Sequence, residues 1–419
     1  MVEEKRALQW LNVHESQKFN TNSVMLAFVQ KAKEGAASRR ALLSYLMAVS
    51  SNRYQKQQAV AKRLMALYGA SFSVRVQAYG QLNLLLFNLS FVKKSSLPDS
   101  QQGIDDLAMT FFKEMVFNQN WQRLVEQPEL LAAEKKNLQH AILNRQDDKV
   151  ALALDEARTH LFADQALRES ILGRVDEVAA LTVADIEAAY AEMVEEDDRL
   201  LYVHGEMSEE QVAAFVQDWP KRKNNSSRGL LVKRPELRKG PLTWLENADF
   251  QQAVTLAHYQ LEEGQQNLAV ALIFNALLGA GPASLLFTEI REKRSLAYQI
   301  SSRLQWDLGM VTVLGECAKD SAREVLGLVD EQMERIARGD FSTAAFDQAK
   351  KTVLAARLRL VDDLQAQSQE GLLRRLLPGL MAEEDLLKAL DSVGASDLQD
   401  FAFKLKKVDS FIMAEEEGK

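Results

Sequence analysis

Five histidines, one cysteine and an arginine–tyrosine pair are where this chain could carry chemistry. A protein-bound metal needs lone-pair donors gathered at helical or hairpin spacing. His14, His140, His160, His204 and His258 lack it, since no two are three or four residues apart. Glu156 and His160 stand four apart and could give two ligands from one helix face, although a solvated face is the plainer reading. His204 and His258 fall in strand patterns, where a satisfied structural histidine is expected. Cys317 is alone, which excludes an internal disulfide and suits the cytosol. No local Ser-His-Asp or Cys-His signature is present. The run REKRSLAY places Arg291 seven residues before Tyr298. A guanidinium is a fixed fork of donors and a phenol a directional one, so both can bind carbonyls or a developing oxyanion. From the residues alone, the plainer account is a solvated helix-end charge and a strand residue.

The elements that would position these groups follow from periodicity. RALLSYLMAVSSN (40–52) reads as a helix near 39–48, with Leu42, Leu43, Leu46 and Met47 on an apolar face. A second helix near 55–68 keeps Ala59, Val60, Leu64 and Leu67 at helical spacing until Gly69 can end it. SFSVRVQAY alternates as a strand, Gly80-Gln81 turns the chain, and LNLLLFNLSFV returns. Helices are expected near 101–118 and 129–161, with Thr182 and Ser208 as later caps and a strand at 199–207. VTLAHYQL, a helix over about 265–278, AYQISSRLQW, a turn at Asp307–Gly309 and MVTVLGECA then repeat the order.

The repetition reaches single residues. AEKKNLQHAILNRQDD (133–148) and QAKKTVLAARLRLVDD (348–363) share KK and a terminal DD at an offset of 215. A second echo sets Asp185-Ile186 of TVADIEAAYAEMVEEDDRLLYVHG 212 positions before Asp397-Leu398 of GASDLQDFAFKLKKVDSFIMAE. The expected organisation is an N-terminal domain at 1–220, a polar linker at 221–241 and a C-terminal domain at 242–419. Hairpins with helices between them imply α+β domains, each a mainly antiparallel sheet with helices on one face.

Composition removes some functions. The 419 residues are 47% hydrophobic and 26% charged, as in globular proteins, and 51 basic against 59 acidic residues give a net charge of −8. No basic tract exceeds pieces such as KRK (221–223), so nucleic acid is not an expected partner. Gly264–Thr288 is uncharged for 25 residues, but its Gln and Asn residues and the GAGP break favour a buried helix and turn over a membrane span. The start, MVEEKRALQW, has no long apolar core of a secretory signal, and a cytoplasmic location is expected.

This order, with ALLGAGPASLLFTEIREKRSLAYQISS at 276–302, resembles the insulinase/pitrilysin family, especially mitochondrial processing peptidases and their bacterial relatives. The resemblance is specific in that segment and diffuse along the rest of the chain. It implies two homologous α+β domains of the metallohydrolase fold seen in LuxS and the processing peptidases. Active members carry HxxEH on the first helix: two histidines hold zinc, the glutamate activates water, and a distant glutamate is the third ligand. Aligned through LMAVSSN, those positions fall here at Leu42, Tyr45 and Leu46, and the distant one at Ala141. Leucine and alanine have no lone pair for a metal, so no metal or cofactor is expected in this chain. Arg291 and Tyr298 match the family's Arg/Tyr pair, which implies that they hold the substrate backbone. Gly279, Gly281 and Ser284 stand where processing peptidases have a glycine-rich loop, though a helix-to-helix turn explains them equally well.

The combination resembles the metal-free member of tandem pairs in Gram-positive bacteria, a type associated with 5-aminopentanol modification of elongation factor P. It implies a non-catalytic subunit whose zinc-bearing homologue cleaves or processes peptides, with zinc only in that partner. The rivals are a structural scaffold of the same fold and an independently active zinc metallopeptidase. Whether the isolated chain is a monomer or a homodimer stays open.

Overall fold

In the computed structural model, described for residues 10–98, 103–222, 231–238, 240, 242–246, 252–262, 267–377 and 379–414, each half builds one five-stranded sheet. Residues 1–9, residues 223–230, 239 and 241 of the linker, and residues 264–266 of the uncharged stretch lie outside the described residues. The first sheet contains β1 (Leu11–Glu15), β2 (Thr21–Lys31), β3 (Ser71–Tyr79), β4 (Leu82–Val92) and β5 (Asp198–Gly205), in the order β1-β5-β2-β4-β3. The second contains β6 (Leu242–Glu246), β7 (Ala253–Gln260), β8 (Ala297–Gln305), β9 (Met310–Cys317) and β10 (Lys406–Ala414), in the order β6-β10-β7-β9-β8. The two orders are the same. In each sheet one edge strand runs parallel to its neighbour, β1 on β5 and β6 on β10, and every other pairing is antiparallel.

The main helices are α1 (Ala37–Val49), α2 (Gln57–Ala66), α3 (Ile104–Phe117), α4 (Pro128–Asp147), α5 (Lys149–Leu161), α6 (Val183–Glu195), α7 (Leu268–Leu278), α8 (Ala322–Arg338), α9 (Thr343–Leu360), α10 (Leu364–Leu376) and α11 (Ala395–Lys404). Their ends have local causes. After α2, Tyr68 and Gly69 adopt φ of 59° and 76°, and the Gly69 N–H bonds the Leu64 carbonyl. Gly80 and Gly309 supply the positive φ of the two hairpin turns. Thr182 forms a capping box with Asp185, and Ser208 one with Gln211.

The repeat in sequence is a repeat of bonds. Asp148 Oδ1 accepts the N–H groups of Val150 and Ala151, and Asp363 Oδ1 those of Gln365 and Ala366. The helix expected over 129–161 is therefore two, because Asp148 caps a new one. Lys135 Nζ donates to the Ala179 carbonyl and its counterpart Lys350 to those of Asp391 and Val393. Asp185 accepts the Thr182 N–H as Asp397 accepts that of Gly394.

The compact units cross the division of the chain. One comprises residues up to Asn144, Glu169–Leu231 and Asp363–Leu376; the other comprises Arg145–Arg168, Val232–Asp362 and Leu377 onward. On the main face of the first sheet, Val24, Leu26, Phe28, Leu85, Phe87, Leu201 and Val203 join Leu42, Phe111, Phe112 and Met193 in one core. The opposite face carries α10, where the Tyr202 hydroxyl donates to the Gly371 carbonyl at 2.9 Å. The second unit mirrors this arrangement. Its main core sets Ala253, Ala257 and Ile412 against Phe274, Val325 and Phe401, while Val254, Leu256, Phe411 and Met413 face Ala153 and Ala157 of α5. Each sheet thus has helices on one face, as expected, and on the other a helix drawn from the opposite half.

Candidate functional site

In the first half, the motif positions lie on α1 and α4. Leu42 is 0% exposed and Leu46 3%, both within the core beneath β2 and β4. α1 presents these residues inward because 42, 43, 46 and 47 form one helical face. Tyr45 is half-buried, and burial, followed by the negative charge of Glu134 on α4, raises its pKa above the ordinary phenol value. It stays a neutral phenol at pH 7, neither base nor phenolate ligand. Ala141 is half-buried on α4, and the neighbouring His140 is exposed. These positions do not fit zinc: two buried alkyl side chains and a methyl group offer no donor, and no chemistry is routed through a metal here.

The remaining candidates do not gather either. His14 and His204, register partners across β1 and β5, have ring centroids 5.3 Å apart. The His204 pKa is pushed down to about 4 by burial and then by His14, against a bond to Gln367. Burial alone lowers His258 to about 4. Cys317 is fully buried and its thiol is raised to about 11 by burial. His160 is exposed at the end of α5, its ring 6.5 Å from that of Phe411. Among the described residues, no three of His, Cys, Asp and Glu could hold a metal ion together.

In the second half, Arg291 and Tyr298 are both exposed, Tyr298 by 61%. They lie in an irregular stretch. Phe287–Glu292 is a π-helical turn, Ser295 follows with φ of 54°, and the β8–β9 register shifts between Ala297 and Gln299. Tyr298 is therefore the extra residue of a β-bulge, a device that re-aims a side chain out of a sheet's regular alternation. π-turns and non-glycine residues at positive φ cost energy and recur at functional sites. The backbone is nonetheless tied down, with Ser295 N–H bonded to the Arg291 carbonyl and Leu296 N–H to that of Ile290.

One residue not singled out from the sequence, Phe287, packs against Arg291. The Arg291 Cζ lies 4.8 Å from the Phe287 ring centroid. Glu289 bonds Lys293 at 2.6 Å and approaches Arg335 at 3.6 Å. The i,i+4 spacing of Phe287 and Arg291 was the signal that could have exposed the first contact. The Gly279 carbonyl accepts the Ser302 N–H, and a Cβ at Gly279 would meet that nitrogen at 2.6 Å, so the loop before the π-turn is pressed onto β8. Ser284 closes this loop onto the Gly281 carbonyl at 2.6 Å. Among the described residues no helix is long and apolar enough to cross a membrane.

The peptidase M16 inactive-domain family matches residues 180–353, a span that includes both Arg291 and Tyr298. A probable inactive metalloprotease of Bacillus subtilis, YmfF, is 22% identical over 409 residues, covering 97% of this chain and 96% of its own. An uncharacterized zinc protease of Mycobacterium bovis is 26% identical over 220 residues, 50% of this chain and 49% of its own. The crystal structure of a conserved protein from Enterococcus faecalis shares the fold with a TM-score of 0.84 at 23% identity, over 98% of this chain and 97% of that one. The chain is a homologue of the M16 zinc proteases and of their inactive relatives, with the insulinase-like fold.

Proposed function

We propose that this chain is a non-catalytic, peptide-holding subunit that acts beside a zinc-bearing homologue. One contrast carries the reading: the helix that would hold the metal is apolar and buried, whereas Arg291 and Tyr298 stand exposed on a constrained, irregular segment. Arg291 directs N–H donors, and Tyr298 its hydroxyl, at carbonyl oxygens of an extended peptide. The homologue supplies the metal-bound water, so bond cleavage occurs only in the mixed assembly. The net charge of −8 favours a basic peptide over an acidic one. The lone buried cysteine suits a cytoplasmic setting.

The test is co-purification with a zinc-motif homologue, followed by peptide cleavage with each chain alone and with both. Arg291→Ala is expected to lower turnover of the pair by about tenfold or more, and Tyr298→Phe by several-fold, the range for one lost donor to a developing charge. Assembly should be unchanged in both variants. Stoichiometric zinc in the purified chain, together with cleavage by it alone, would overturn the proposal. Full tolerance of both substitutions in the pair would favour a scaffold.

A further inference from the structure

We infer that Phe287 is a positioning residue for Arg291, holding the guanidinium by its face so that its donor edge is presented to the backbone carbonyls of a peptide. This deepens the preceding proposal and rests on it. A guanidinium 4.8 Å from a ring centroid is within cation–π distance, and stacking occupies the flat face of the group. The N–H bonds lie in the guanidinium plane, so the contact consumes none of them.

The nearby acids do not consume them either. Glu289 is engaged by Lys293 and Arg335, whose charges and bonds hold its carboxyl below the usual glutamate range. Glu292 is the next residue in the chain, and on a helical turn adjacent residues do not face each other. Phe287, four positions back, does share a face with Arg291. The backbone beneath the pair is fixed by the bonds from Ser295 and Leu296. An exposed arginine otherwise spreads over many rotamers, and ordering it on binding weakens affinity. The ring removes part of that disorder in advance. The device selects a class of ligand: an extended chain offering neutral carbonyls, with no carboxylate required.

The experiment measures binding to the full-length chain by fluorescence anisotropy. The probe is a 25-residue lysine-containing peptide with blocked ends and no Asp or Glu, labelled with an uncharged boron-dipyrromethene dye, so carbonyls are the only strong acceptors. Arg291→Ala is expected to raise Kd about tenfold. Phe287→Leu and Phe287→Met should each raise it about three- to tenfold, and Phe287→Tyr, which keeps the ring, less than about twofold. In the Arg291→Ala background, Phe287→Leu should add nothing, a coupling that a purely structural role would not produce. Thermal unfolding confirms that each variant is folded, and Phe287→Met serves if Phe287→Leu is not. If both ring-removing variants leave Kd unchanged while Arg291→Ala weakens binding, positioning by Phe287 is wrong and the peptide-holding reading stands. Positioning is equally wrong if Phe287→Leu weakens binding to the same extent with and without Arg291. If Arg291→Ala itself has no effect, the peptide-holding reading falls and this inference with it.

Discussion

Arg40 and Asp197 form a buried ion pair at 2.7 Å, with side chains 4% and 1% exposed, that ties the start of α1 to the residue before β5. Burial pushes the Asp197 carboxyl up to about 6, against the charge and hydrogen bond of Arg40. Arg40 also donates to the Phe28 carbonyl at 3.2 Å. Removing the arginine strands a buried acid, so Arg40→Met should cost about 3–5 kcal/mol in urea unfolding, and Arg40→Met with Asp197→Leu should recover much of it. Titration of a buried histidine gives a second residue-scale prediction. His258, 3% exposed, has a folded pKa of about 4 against an ordinary 6.5. Its neutral form is favoured in the fold, so stability is full above pH 6.5 and falls as pH drops from 6.5 towards 4. The difference corresponds to about 3 kcal/mol. Unfolding titrations of His258→Leu should show a shallower loss over that window; an unchanged slope would mean that His258 is not buried as described. At this scale the sequence was readable where a residue's role depends on its own chemistry, as for the alkyl side chains at 42 and 46. It was unreadable where the role depends on a neighbour, as for Phe287 beneath Arg291.

At the scale of elements, Gly371 shows packing overruling propensity. A glycine inside an exposed helix costs about 1 kcal/mol relative to alanine, so Gly371→Ala in α10 would ordinarily stabilise. Here a Cβ would come within 2.7 Å of Tyr202 Cε1 and 3.1 Å of Cδ1. The ring cannot swing aside freely, since Tyr202 is 4% exposed and its hydroxyl is bonded to the Gly371 carbonyl. Overpacking of this kind typically costs about 1–3 kcal/mol, so Gly371→Ala should destabilise by about 1–2 kcal/mol, measured by chemical denaturation. A gain in stability would show that α10 rests loosely on β5. The same distinction explains which elements were legible. Hairpins such as β3–β4, with alternation and a glycine turn, could be read directly, as could the Thr182 and Ser208 caps. β2 escaped assignment because SVMLAFV is apolar without alternation. The strand is central and buried on both faces, so period-two patterning disappears. The short edge strands β1 and β6 gave too few residues to establish any period.

Across the whole molecule, the internal repeat revealed the shared plan of the halves but not the exchange of helices between those halves. Nothing in KVALALDEARTHL tells which sheet it will cover, because an amphipathic helix fits either apolar face equally well. The consequence is that neither half is complete without the other. A chain cut within 223–230 gives one fragment without α10 and another without α5. Loss of α5 would bare Val254, Leu256, Phe411 and Met413, and at about 1.5–3 kcal/mol per large apolar side chain the deficit is roughly 6–12 kcal/mol. That is comparable with the whole stability of an ordinary domain, about 5–15 kcal/mol. Each fragment alone should therefore bind a hydrophobic dye and lack a cooperative thermal transition, whereas the two expressed together should recover one. Cooperative, dye-free unfolding of either fragment by itself would show that the helix from the other half is an ornament on its sheet, because a face worth that much energy cannot stay bare in water without penalty.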